Sequence, residues 1–158
     1  MTRSIIAALL LAIATPACDA RAESADASKE PYAPGLAEIM IMTQIRHAKL
    51  WLAGDAGNWD LADYEIDELK EGIEDAVKYV PIYKNIPVGQ MIEATVMAPI
   101  GEVESAIKAR DRARFVAAYN NLTAACNNCH QSANRPYIVI QRPTGSTFPN
   151  QSFAPKRP

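Results

Sequence analysis

Apolar side chains return at helical spacing in four stretches of the chain. Leu36, Met40, Thr43, His47 and Leu50 fall on one face and predict a first helix over about 36–53. Gly54 to Asn58 interrupts the pattern, and Asn58 is a good cap for the next helix. This second helix, over about 59–80, is read from the stripe Ala62, Ile66, Leu69, Ile73, Val77 and Val80. Its opposite, solvent-facing side carries Asp63, Glu65, Asp67, Glu68, Glu71, Glu74 and Asp75. Pro81 and Pro87 bracket a turn, and a third helix over about 88–109 should kink at Pro99. Asp111 can cap a fourth, which places Phe115, Ala118, Leu122, Ala125, Cys126 and Cys129 on one side. Four amphipathic helices with short connections predict an all-α, up-down-up-down four-helix bundle over 35–133.

The flanks read differently. Four prolines, Pro136, Pro143, Pro149 and Pro155, keep residues 134–158 from being helical. Tyr137-Ile138-Val139-Ile140 is too apolar to leave in water. This extended tail is expected to lie along the bundle or over a cofactor edge, with Phe148 and Phe153 as further anchors. At the other end, Arg3, the apolar run Ile5 to Ala14 and Ala20-Arg21-Ala22 form a secretory signal peptide over 1–22. Lipidation at Cys18 is the alternative for this region. Residues 23–34 are polar, end in prolines and read as a flexible linker. No other stretch is long and apolar enough to cross a membrane, so an exported, periplasmic protein is expected.

The chain carries 16 Lys and Arg against 18 Asp and Glu. Removing Arg3, Arg21 and Asp19 with the leader leaves 14 and 17, a net charge of −3, and this excludes the basic stripe of a nucleic-acid binder. Of three cysteines only Cys126 and Cys129 then remain. In an oxidising compartment they can form a disulfide, the non-haem alternative, in which the chain is a helical interaction module.

Cys126-Asn127-Asn128-Cys129-His130 matches the attachment pattern of a c-type haem. Positions three and four apart share a helix face, so two thiols and an imidazole point the same way. The thiols can bond the two vinyl groups of one covalent haem c, and His130 can ligate its iron. A thioredoxin-like pair needs a strand-to-helix context that is missing here, and a four-ligand zinc site lacks partners, because His47 is the one further Cys or His after the leader. No spacing suggests a Ser–His–acid triad or a carboxylate cluster with two histidines, so an enzyme is not expected.

A haem motif on the last helix of a four-helix bundle resembles the class II c-type cytochromes, the cytochrome c-prime group. The resemblance covers about residues 36–133, and the tail past His130 exceeds the family pattern. It implies one of two behaviours: a six-coordinate iron with a methionine early in the first helix, or a five-coordinate iron that binds small gases. Pairing into homodimers through the first two helices is implied by analogy. In an up-down bundle the start of the first helix meets the end of the fourth, and Met40 lies ~7 Å into its helix, at the height of His130. Met40 is therefore the first choice for the sixth ligand. His47, ~10 Å deeper, is the alternative, followed by an open site and by Met91. Met42 should point elsewhere, Arg46, Lys49 and Arg135 are candidates for pairing with propionates, and Trp51 and Trp59 should seal the far end. The resulting expectation is a periplasmic one-electron carrier that serves redox partner proteins, with a gas-binding or sensing haem protein as the alternative.

Overall fold

Polar caps and left-handed turn residues divide the described chain, residues 32–156 of a computed structural model, into five helices. They are α1 Leu36–Asp55, α2 Trp59–Tyr79, α3 Val88–Thr95, α4 Met97–Lys108 and α5 Arg112–Ser132. The Asn58 side chain accepts from Leu61 N–H at 3.3 Å to start α2, and Asp111 accepts from Arg114 N–H at 3.0 Å to start α5. Between α2 and α3, Lys84 and Asn85 both take positive φ, so that Tyr83 and Ile86 exchange backbone hydrogen bonds of 2.9 Å. That is the geometry of a mirror-image tight turn. No strand occurs among the described residues. The expected leader, the alternative lipidation site Cys18 and the linker up to residue 31 lie outside them.

The helix expected over 88–109 is broken in two at Val96, three residues before the proline. The Pro99 ring crowds the carbonyl four residues back and supplies no N–H, so the chain turns there and restarts as α4. The Thr95 hydroxyl donates to the Met91 carbonyl at 2.7 Å, a back-bond of the kind that accompanies a bent helix.

α1 lies along α2, α4 lies along α5, and α2 also packs on α3 and α4. The product is an all-helical bundle whose core holds Leu50, Ile66, Leu69, Ile100, Val103, Phe115, Tyr119 and Leu122, all buried. Trp51 stacks on Phe115 and tilts against Tyr119, with ring centroids 6.1 and 5.0 Å apart, and Trp59 meets Phe115 edge-on at 5.9 Å. These rings fill the half of the bundle around the C-terminal part of α1. Glu65, assigned from the sequence to the solvent side of α2, is instead only 1 % exposed. Arg46 of α1 accounts for this: its guanidinium reaches Glu65 at 3.2 Å and Glu68 at 2.7 Å while lying over the Tyr64 ring. A buried carboxylate is tolerated where a cation is supplied.

Over residues 134–156, the described part of the tail, the chain forms neither helix nor strand. Phe153 is buried in the core, Phe148 packs beside it with centroids 6.1 Å apart, and Asn58 donates to the Ala154 carbonyl at 3.2 Å. Of the apolar run, Tyr137 and Val139 stand 74 % and 69 % exposed, whereas Ile138 and Ile140 face a cavity. Pro136 and Tyr137 form a turn closed by Ile138 N–H on the Arg135 carbonyl at 3.0 Å, and Ile138 itself remains 42 % exposed at the cavity edge.

Gly54 allows a close approach of α1 to α5, because a Cβ there would collide with the Phe115 ring. Gly54→Ala is expected to lower stability by about 1–3 kcal/mol through overpacking, read as a lower urea midpoint at unchanged m.

Candidate functional site

α1 and α5, 20 and 21 residues long, touch each other much less than α1 touches α2. A cavity of 360 Å³ opens between the first turns of α1 and the last turns of α5. Its walls come from Leu36, Met40, Thr43 and His47 of α1, Leu69 and Ile73 of α2, the Tyr83–Ile86 turn and Ile92 of α3. Cys126, Cys129 and His130 of α5 complete them, with Arg135, Ile138 and Ile140 of the tail. The lining is mostly aliphatic, and the volume lies at the lower end of the range of about 300–1,000 Å³ usual for small-molecule and cofactor sites. A second cleft, 610 Å³ and lined by Trp51, Asp55, Arg112 and Arg142 among others, contains no Cys or His.

The three motif residues reach one wall because the sequence keeps them on a helix to its last turn and then reverses the chain. Asn134 takes φ 58°, a left-handed value that asparagine accepts readily, and Arg135 N–H closes on the His130 carbonyl at 2.8 Å. The reversal carries the tail back over the end of α5. There His130 Nδ1 lies 3.0 Å from the Ile138 carbonyl, and Asn127 bonds the backbone of Ile140 twice, accepting from its N–H at 2.7 Å and donating to its C=O at 2.9 Å. A carbonyl can only accept, so Nδ1 carries the proton and the lone pair of the neutral ring is on Nε2.

Cys126 and Cys129 are free thiols. Burial, with the neighbouring Cys129 adding to it, pushes the Cys126 thiol up to about 11. Burial also raises Cys129, opposed by the neighbouring Thr95 side chain. Among the described residues no three His, Cys, Asp or Glu side chains are grouped to hold a metal ion directly. A haem makes no such demand, since its two thioethers bond to carbon and one imidazole serves the iron.

Met40 stands on the cavity wall with His130. Met91 does not line it, and Met42 is 49 % exposed. His47 also lines the cavity but is engaged on both sides, by Thr123 Oγ1 at Nε2 and by Tyr119 Oη at Nδ1, each 2.9 Å away. The Tyr119 hydroxyl lies 3.0 Å from the His47 carbonyl as well. Burial takes His47 down to about 4 and raises Tyr119, so the imidazole is neutral near pH 7. Of the candidate propionate partners, Arg135 lines the cavity, Arg46 is committed to Glu65 and Glu68, and Lys49 lies over the Phe148 ring. Sequence reasoning missed Tyr119, Thr123 and Asn127. Tyr119 and Thr123 stand four residues apart on α5, a faint signal for a polar pair on one face, and Asn127 carried none.

No family model, curated protein or solved structure matches this chain. No helix among the described residues is long and apolar enough to cross a membrane.

Two outcomes test this geometry. The folded His47 value lies below the unfolded one of 6.5, so its contribution to stability is present above pH 6.5 and is lost as pH falls toward 4. The loss is on the order of 3 kcal/mol, and urea titrations at stepped pH should show that component missing in His47→Gln. In unloaded protein at pH 8, iodoacetamide should alkylate Cys126 about 100-fold more slowly than the same residue in urea, with Cys129 reacting ahead of it.

Proposed function

We propose that this chain is an exported, periplasmic monohaem c-type cytochrome that carries one electron at a time. The observation that supports it best is the common placement of Cys126, Cys129 and His130 on one apolar cavity wall, with His130 Nδ1–H donating to the Ile138 carbonyl. That bond fixes the ring tautomer in which Nε2 is the basic nitrogen, as metal-bound histidines require. Cys126 and Cys129 would hold the haem by thioether bonds, and His130 would be its proximal ligand. Bound there, the haem would supply a one-electron iron couple whose potential a Met/His ligand pair raises.

Met40 is the second ligand in this reading, because its thioether lines the cavity while both nitrogens of His47 are occupied within the protein. His47 then acts through α1 and α5: its bonds to Tyr119 and Thr123 hold the two helices at a fixed separation beside the site. The surrounding aliphatic side chains would shield the haem from water, and Arg135, on the same wall, would pair with a propionate. The bundle is read as up-down-up-down, with the broken pair α3 and α4 as its third member. Its partners are redox proteins.

Export from a host with haem-attachment machinery, followed by voltammetry and absorption spectroscopy, tests the proposal. A reversible one-electron wave and slow or absent carbon monoxide binding to the reduced protein are expected. Met40→Ala should admit carbon monoxide and lower the potential, and His47→Gln should do neither. Immediate carbon monoxide binding by the unaltered protein would contradict the carrier, and a colourless product would contradict the haem.

A further inference from the structure

We propose that Asn127, one of the two residues between the motif cysteines, is a positioning residue that locks the tail in register and thereby orients His130. One residue beyond Cys126, its side chain leaves α5 about 100° around the helix from the thiol. On that side the tail returns. The amide then pairs with the Ile140 backbone much as a neighbouring strand would, taking its N–H at 2.7 Å and giving an N–H to its C=O at 2.9 Å. Two residues earlier, the Ile138 carbonyl accepts the hydrogen bond of His130 Nδ1–H at 3.0 Å.

The two attachments are coupled by the backbone between them. Only Val139 separates the two residues, so anchoring Ile140 restricts where the Ile138 carbonyl can lie, and both side chains line the cavity. Ile138 N–H also closes a turn on the Arg135 carbonyl at 3.0 Å, which starts the returning segment, but from Val139 onward Asn127 supplies its attachment to α5, and no strand pairs with it. A shift of the segment away from α5 would carry the Ile138 carbonyl out of reach of His130. Asparagine suits the position because one side chain must both accept and donate; aspartate can only accept, and alanine does neither. The effect on the imidazole stands on the unloaded chain alone, while its consequence for the iron rests on the haem reading above.

The unloaded full chain is tested first, with nitrogen-15 NMR of the His130 ring and hydrogen exchange at the Ile140 amide. The unaltered protein should show one tautomer, protonated at Nδ1. Asn127→Ala should give a mixture of tautomers and about tenfold faster exchange at Ile140, with helical circular dichroism unchanged. Ile140→Pro removes the same N–H from the tail side and should release His130 equally. Asn128→Ala, a change at the exposed neighbour, should do neither. A single Nδ1–H tautomer surviving in both Asn127→Ala and Ile140→Pro would overturn the proposal, as would an equal effect of Asn128→Ala. On loaded protein, Asn127→Ala should broaden the low-spin ferric paramagnetic resonance signal by scattering ring orientations. An unchanged linewidth would count against the positioning role. Failure of the chain to load haem would sink the functional reading and leave the tautomer result to decide this one.

Discussion

The hydrogen bond from His130 to the Ile138 carbonyl joins the last turn of α5 to the returning tail, and the character of the cavity depends on it. A histidine at a helix end is ordinarily free to rotate and to exchange its proton between two nitrogens. Here a carbonyl, which can only accept, removes both freedoms. For the bond to exist, α5 must stop within a turn of His130, the chain must reverse, and the returning segment must lie against the end of α5. Asn134 supplies the left-handed residue for the reversal, and Asn127 grips the segment. Short polar side chains perform both tasks, and the aliphatic wall is left uninterrupted.

A second polar device sits deeper. His47, Tyr119 and Thr123 satisfy one another where α1 and α5 face across the cavity, and no buried side-chain nitrogen or oxygen is left without a partner among the described residues. Buried polar groups of this kind favour one arrangement of packed helices over others, because a shift of either helix would strand a donor or acceptor. The network therefore sets the spacing of the two helices that flank the site. Aromatic packing of Trp51, Phe115 and Tyr119 completes the far side of the same contact.

Much of this was legible in the sequence. Helical periodicity placed α1, α2 and α5 within a few residues, and the caps Asn58 and Asp111 act as read. The spacing of Cys126, Cys129 and His130 on one helix face, with Met40 on the facing helix, also follows from 3.6-residue periodicity. What periodicity could not supply were pairings between distant segments. Glu65 lies on the buried side of α2 because Arg46 meets it from α1, a match that neither helix reveals alone. The break at Val96 was displaced from Pro99 because a proline acts on the turn before it. Asn127 had no visible role because its partner is the backbone of the tail, and backbone partners leave no trace in composition.

The central claim is that the end of α5 receives a covalently bound haem, and the mass of the peptide spanning Cys126 to His130 tests it most directly. Digestion of exported protein, matured in the presence of attachment machinery, should yield that peptide heavier by one haem and with neither thiol available to alkylation. A peptide of unmodified mass, or one lighter by two hydrogens through a Cys126–Cys129 disulfide, would contradict the account.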